Sequence, residues 1–381
     1  MVVGMLRCPL LLGGLWAIIA DDDDSESATA RARALTPPVP NASQGGEFED
    51  AGFFEANGDL FRAAWQEHSL ADERMSRFSV LADVSPLLAE AVAALRTQPS
   101  HTAEGVLPGL DPWTFWVPSF GYHLPFRSAK PDMGWSPATA ATVRKLCNET
   151  APGVFSIRLL HEEAIASMRA ELARVAASGI PTRRPNGMNR WGVILDEDVD
   201  GAVSHGLSTF VKALVDEYVR PLARMLFSDI VRPGDDSEQF AFTVQYEPDK
   251  DAKLAEHRDA SVVTLNMNLN TPSESFGGSA LDFVDPHDPK TRHTVEFTPG
   301  IALIHRGSLR HAALPITKGV RENLIVWLFG EDGYVREAPY PEAQRLSVKE
   351  RWGRGGPAEG RATSCRGPTG EADYPWPLAP K

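Results

Sequence analysis

His257 and Asp259 stand two positions apart, His311 follows 52 positions after Asp259, and Arg321 follows ten positions after His311. Two imidazoles and one carboxylate are the donor set that holds a non-haem iron(II) on one face and leaves the opposite face open. A planar guanidinium makes two charge-assisted hydrogen bonds with a carboxylate, so Arg321 could hold the far end of a dicarboxylate co-substrate. An isolated H-x-D triplet arises by accident in many chains. Combined with a second histidine and a downstream G-x-R inside a run of short strands, it is a specific pattern. His305, six residues before His311, is the competing ligand. It ends the apolar run Ile301–Ile304, where a core aromatic is the ordinary occupant, and only His311 is followed by a short strand, a Thr-Lys-Gly turn and an arginine. His287 and His293 flank a proline-containing turn and read as solvated.

These residues need a scaffold, and the hydrophobic pattern supplies one. After Gly234 the period is two, with strand-like runs at Phe240–Tyr246, Leu254–Asp259, Val262–Leu269, Ser279–Val284, His293–Phe297, Ile301–Arg306, His311–Ile316 and Arg321–Phe329. Pro248, Gly277-Gly278, Pro286, Pro299-Gly300, Gly307 and Gly319 fall between them as turn residues. Eight short strands predict a mainly β fold with flanking α, a double-stranded β-helix (jelly-roll, cupin-like) barrel with supporting helices and an irregular or helical N-terminal region. Residues two apart on a strand share a face, so His257 and Asp259 could chelate one metal from the interior. The same parity puts Trp327 on the side of Arg321, as a pocket wall or as ordinary core.

Upstream, a strand-like Val154–Ile157 leads into an amphipathic helix with Leu160, Ile165, Met168, Leu172 and Val175 at helical spacing, and Gly179 is placed to stop it. A second helix is predicted from about Ser204, with Pro221 kinking it. Between them, Asn186 and Asn189 sit in a loop before Val193–Leu195, where their amides could meet substrate or simply make turns.

A chain of 381 residues with a net charge of −13 can bury a full core. It has no Lys/Arg-rich face for phosphates, so nucleic acid is not an expected partner. Residues 1–20 read as a signal peptide or short anchor, which would be the sole membrane contact. The expected location is the secretory pathway, such as the endoplasmic reticulum lumen, with the cytoplasm as alternative. Residues 21–50 read as a flexible acidic stalk and 51–150 as a helical, aromatic-rich region. Helical support and the substrate loop occupy 151–235, the catalytic barrel 236–332 and a mostly disordered extension 333–381. Cys147 and Cys365 could pair or remain free.

Residues 240–330 resemble the catalytic domain of the 2-oxoglutarate and iron(II)-dependent dioxygenases, within the prolyl and lysyl hydroxylase branch. The matching pieces are Tyr246, His257-x-Asp259, Val263-Thr264 to Leu269-Asn270, Gly277-Gly278 with Phe283, Pro299-Gly300, His311, and Gly319-Val320-Arg321 running to Phe329. Upstream, Val154–Glu171 resembles the strand and helix that precede the barrel in that branch, and Arg184–Val193 is similar to a segment of the second type of 2-oxoglutarate and iron-dependent oxygenase domain proteins. The resemblance implies iron(II) on His257, Asp259 and His311, 2-oxoglutarate as co-substrate with Arg321 on its distal carboxylate, Tyr246 as a hydroxyl donor to it, dioxygen, and ascorbate as a reductant. It implies hydroxylation of a C–H bond with release of succinate and CO2. The expected substrate is a prolyl or lysyl side chain of a peptide or protein. A small-molecule oxygenase and a catalytically silent barrel are the alternatives. Collagen-type prolyl hydroxylases usually carry lysine where Arg321 stands, which weighs against collagen proline.

Overall fold

The computed structural model describes residues 26–35, 56–70, 146–186, 188–196, 205–227, 230–231, 238–329 and 347–348. The expectations for residues 1–20, for most of the helical, aromatic-rich region 51–150 and for most of 333–381 lie outside them. Among the described residues, no helix is long and apolar enough to cross a membrane.

Twelve described strands run in chain order: β1 Asn148–Ala151, β2 Val154–Arg158, β3 Gln239–Tyr246, β4 Leu254–His257, β5 Val263–Asn268, β6 Gly277–Gly278, β7 Leu281–Val284, β8 Arg292–Val295, β9 Ile301–Arg306, β10 His311–Ala313, β11 Ile316–Lys318 and β12 Arg321–Leu328. Six form one sheet in the order β1-β2-β9-β5-β12-β3, four form a second in the order β4-β10-β7-β8, and β6 and β11 make a small ribbon. All ladders within these sheets are antiparallel. From β3 onward the chain crosses repeatedly between the two sheets, as in a double-stranded β-helix. The expected barrel is therefore two facing sheets, and no ladder closes them into one.

Period two gives the central strands of the larger sheet, β5 and β12, two buried faces. On β5, Val263, Leu265 and Met267 join a cluster with the helices, while Thr264 and Asn266 line the space between the sheets. Phe240, Phe242, Leu303, Ile325 and Trp327 of the larger sheet meet Leu281, Phe283, Val295 and Ala313 of the smaller one in a second cluster. Burying an aliphatic or aromatic side chain is worth about 1.5–3 kcal/mol, so both faces of the larger sheet hold the site strands in place.

The helices are α1 Ala28–Ala34, α2 Gly58–Leu70, α3 Glu162–Ala177, α4 His205–Leu214 and α5 Arg220–Leu226. Helix α3 buries Ile165, Met168, Leu172 and Val175 as its spacing predicts, and Gly179 takes the left-handed conformation, φ 68°, just past its end. The expected kink at Pro221 takes a defined form. Proline has no N–H and its ring crowds the carbonyl one turn back, and Val215–Val219 widen into a π turn between α4 and α5, in which the Arg220 N–H bonds to the Val215 carbonyl.

The flexible stalk expected over 21–50 is corrected at 28–34, which is helical. Ser27 caps it by accepting from the Ala30 N–H at 3.1 Å. Ala32 is buried, Thr29 bonds to Glu67 and Ala64 of α2, and Arg33 donates to the Ser178 carbonyl after α3.

Candidate active site

His257 ends β4 and His311 begins β10, and the two are paired across the ladder with ring centroids 4.2 Å apart. Asp259 lies beyond the end of β4, so strand parity is not what aims it. A loop does this instead: the Asp259 N–H donates to the Gly307 carbonyl at 2.9 Å, and the Gly307 N–H to the Val262 carbonyl at 3.0 Å. A Cβ on Gly307 would lie 2.1 Å from the Ser261 carbonyl oxygen, so this approach of two backbones requires glycine. Asp259 Oδ1 is thereby 3.3 Å from His257 Nε2 and 3.8 Å from His311 Nε2. One ligand atom from each of the three residues lies within 4.8 Å of the others.

Both imidazoles are fixed from behind. The Nδ1 of His257 lies 2.8 Å from the Ala255 carbonyl and that of His311 2.9 Å from the Leu309 carbonyl. A carbonyl only accepts, so each Nδ1 carries a proton, and each Nε2 is the ring nitrogen left facing Asp259. Burial pushes the His311 pKa down, helped by the His257 charge, to about 3. Burial pushes the Asp259 carboxyl up, but His311, His257 and His305 outweigh it and hold the group below the usual carboxylate range. A neutral His311 imidazole beside an ionised Asp259 carboxylate is the ligand state a divalent cation needs.

His305 sits next to this set without joining it. It is fully buried on β9, its Nδ1 bonds to the Arg306 carbonyl at 2.9 Å, and its Nε2 lies 4.0 Å from Asp259 Oδ2. Asp259 Oδ2 instead accepts from the Thr264 hydroxyl at 2.6 Å, and Ser261 and Thr264 are joined hydroxyl to hydroxyl at 2.7 Å. Thr264 therefore occupies one carboxylate oxygen and leaves Oδ1 for a metal.

A pocket of about 410 Å³, open to solvent, runs from the triad to Arg321. Arg321 is 1% exposed, stacked with its guanidinium carbon 4.3 Å from the Tyr246 ring and 4.5 Å from the Phe297 ring. Its Nε and Nη1 are buried without a hydrogen-bond partner among the described residues. Burial lowers its pKa to about 10, only partly opposed by Tyr246, so the group remains a cation at neutral pH. A buried cation without a counterion is costly, and a ligand carboxylate is the group that would complete it.

Tyr246 lies in the pocket wall, where burial raises its pKa, opposed by Arg321. The Tyr246 hydroxyl oxygen accepts from Asn189 Nδ2 at 3.1 Å, which leaves its own proton for the pocket. Asn186 Oδ1 accepts the N–H groups of Met188 and Asn189, and its Nδ2 donates to Asn189 Oδ1 at 3.3 Å. Both asparagines thus line the pocket, with their amides engaged in the loop and in orienting Tyr246. Trp327 lines the pocket and also packs against Phe240 and Phe242.

The structure thus brings His257, Asp259, His311, Arg321, Tyr246, Trp327, Asn186 and Asn189 to one pocket. Sequence reasoning missed Thr264, Asn266 and Phe297. The signal for the first two was a polar residue at every second position of an otherwise apolar strand; nothing marked Phe297.

Residues 109–232 match the OGFOD2-like domain family. The chain is 30% identical over 237 residues to the 2-oxoglutarate and iron-dependent oxygenase domain-containing protein ICU11 of Arabidopsis thaliana, covering 58% of this chain and 54% of that protein. It is 35% identical over 184 residues to the 2-oxoglutarate and iron-dependent oxygenase domain-containing protein 2 of Danio rerio, covering 47% and 50%. It is 37% identical over 107 residues to the procollagen-lysine,2-oxoglutarate 5-dioxygenase 1 of Rattus norvegicus, covering 28% of this chain and 14% of that protein. The chain spans about half the length of the first two. Beside a three-ligand site and a buried guanidinium in one pocket, the sequence likeness points the same way: residues 109–232 match the OGFOD2-like domain, and the chain is similar to the 2-oxoglutarate and iron-dependent oxygenase domain-containing proteins.

Proposed function

We propose that this chain is an iron(II)- and 2-oxoglutarate-dependent oxygenase that hydroxylates a C–H bond of a prolyl or lysyl side chain in a peptide or protein, with release of succinate and CO2. The observation that carries this reading is one pocket that joins the His257, Asp259 and His311 ligand atoms to the unpaired, buried guanidinium of Arg321. The likeness to a protein named for procollagen lysine, and an arginine at 321, favour lysine over collagen proline.

The iron, when bound with 2-oxoglutarate and dioxygen, supplies the oxidising chemistry, and ascorbate fits as a reductant that keeps it iron(II). The residues of the chain do the rest. His257, Asp259 and His311 offer one ligand atom each and leave the remaining positions open. Arg321 takes the distal carboxylate of the co-substrate, which discriminates against 2-oxo acids without one. Tyr246, kept protonated by burial, donates its hydroxyl to the same ligand. Phe242, Ile325 and Trp327 keep water from the reacting end.

Anaerobic protein loaded with iron(II) and 2-oxoglutarate should develop a metal-to-ligand charge-transfer band that His311→Ala and Asp259→Ala abolish. Peptides containing proline or lysine should then stimulate succinate formation. No band with the wild type would refute the oxygenase reading, and stimulation by metabolites alone would refute the protein substrate.

A further inference from the structure

Trp191 is 40% exposed, and among the described residues Leu35 alone matches it as a large apolar side chain that faces solvent. The proposed mechanism gives it no role. Its place is well defined, because β3 is an edge strand of the six-stranded sheet and residues 191–195 run along its open side. The Leu195 N–H donates to the Ala241 carbonyl at 2.8 Å, the Thr243 N–H to the Val193 carbonyl at 2.8 Å and the Gln245 N–H to the Trp191 carbonyl at 3.0 Å. Tyr246, which lines the pocket, directly follows Gln245, and Met188 and Asn189 of the Trp191 loop line the pocket too. Two residues span about 7 Å at most, so Trp191 stands at the pocket rim. Its ring turns outward, toward Lys250.

The backbone that carries this ring is held on both sides. Asp251 Oδ2 accepts the N–H groups of Arg190 at 2.7 Å and of Trp191 at 3.2 Å. Gly192 has φ 151°, and a Cβ there would lie 1.9 Å from the Thr243 carbonyl oxygen, so only glycine lets the loop meet β3 this closely. An exposed tryptophan on a fixed backbone loses little freedom when a partner covers it, which is the property of an interface anchor. The ring also has a chemical preference. Lys250 Nζ lies 4.9 Å from its centroid, tethered by Glu247 at 2.8 Å and by Gln245 Oε1 at 3.3 Å. One cation already sits over the indole, so a second would be repelled. A neutral, apolar group fits instead. Proline in an extended chain suits an aromatic platform best, because its ring is rigid before it binds.

We infer that Trp191 is a specificity residue for the peptide substrate: its indole packs on a proline a few residues away from the one hydroxylated, and Lys250 keeps lysine and arginine out of that position. This rests on the peptide-substrate reading above. The selection is made outside the pocket, so it acts on how tightly the peptide is held and not on the reacting atoms.

The test uses the full chain with iron(II) and 2-oxoglutarate. It reads the charge-transfer band under anaerobic conditions, and KM and kcat for peptide-stimulated succinate formation in air. The probes are two sets of peptides, centred on lysine and on proline, in which each flanking position in turn carries proline, alanine or lysine. With the wild type, one flanking position should favour proline over alanine and reject lysine. Trp191→Ala should raise the KM of that proline peptide roughly 10- to 100-fold, the loss expected for one anchoring aromatic, to the level of its alanine counterpart. The kcat and the charge-transfer band should stay as in the wild type, and Trp191→Phe should restore most of the loss. Lys250→Met should admit lysine at the same position, and continued rejection would remove Lys250 from the selection. No preference for proline at any position, or a Trp191→Ala protein that ranks the peptides as the wild type does, would overturn the inference and leave the oxygenase reading intact. A wild type that shows the band while no peptide raises succinate formation would overturn the peptide-substrate reading and this inference together.

Discussion

Replacing Arg321 by methionine should make the ligand-free protein no less stable while removing its response to 2-oxoglutarate. The guanidinium is 1% exposed, and burial lowers its pKa from 12.5 to about 10. At about 1.4 kcal/mol per unit, holding the charge in the fold costs on the order of 3–4 kcal/mol. The two ring stacks at 4.3 and 4.5 Å return roughly 1 kcal/mol each. Methionine keeps most of the aliphatic stem's packing. The balance is a gain of about 1–2 kcal/mol, a few degrees at most in the melting temperature of a chain of this size. Wild-type protein with Mn(II) should gain about 2.7 kcal/mol more from 2-oxoglutarate at a hundred times its Kd, and Arg321→Met should gain nothing. Thermal unfolding with and without the ligand measures both. A variant that melts well below the wild type yet keeps the ligand-induced rise would refute the reasoning, because Arg321 would then be a structural cation already satisfied by the fold.

Thr264→Val removes the hydroxyl that binds Asp259 Oδ2 at 2.6 Å and should weaken Mn(II) binding about 10- to 100-fold, with Thr264→Ser restoring most of it. Gly307→Ala should destabilise by several kcal/mol and lose metal affinity, because its Cβ would lie 2.1 Å from the Ser261 carbonyl oxygen and must displace the loop that aims Asp259; calorimetric melting and metal titration check this. Burial pushes the Cys147 thiol from 9.0 up to about 12. Cys147 should thus resist a disulfide reagent at pH 8 in folded protein and react once unfolded, as seen by comparison with Cys147→Ala. A raised folded value keeps its stabilisation intact below about pH 9 and loses it as the pH climbs toward 12. Wild type should therefore lose more stability than Cys147→Ala over that window.

The strands after Gly234 were legible because alternation of apolar residues is a local property, and Ile301–Arg306 matches its expected limits. The histidine pair and Arg321 followed from residue type and spacing. Strand β1 was not visible because Asn148, Glu149 and Thr150 are exposed and only Ala151 is buried, leaving no apolar period to detect. Helix α1 escaped for a related reason: ATARARA offers alanines as its only apolar surface, and what holds it is contact with α2 and the end of α3, far away in sequence. The aiming of Asp259 depends on Gly307, 48 positions later, and such a close backbone approach has no signature in either segment. Asn186 and Asn189 were seen as loop residues, but the bond from Asn189 to Tyr246 joins positions 57 apart and needed the fold to be known.

Strand β5 is buried on both sides and polar on only one of them, and that asymmetry makes it intolerant of misalignment during folding. A slip of one residue against β12 would turn Thr264, Asn266 and Asn268 toward the helices and Leu265 and Met267 into the pocket. Each misplaced amide would lose its partners in an apolar layer, at about 1–3 kcal/mol apiece. A chain so mispaired is neither well packed nor able to collect a metal, so misfolded copies have no stable resting place and proofreading of this strand comes from the sequence itself.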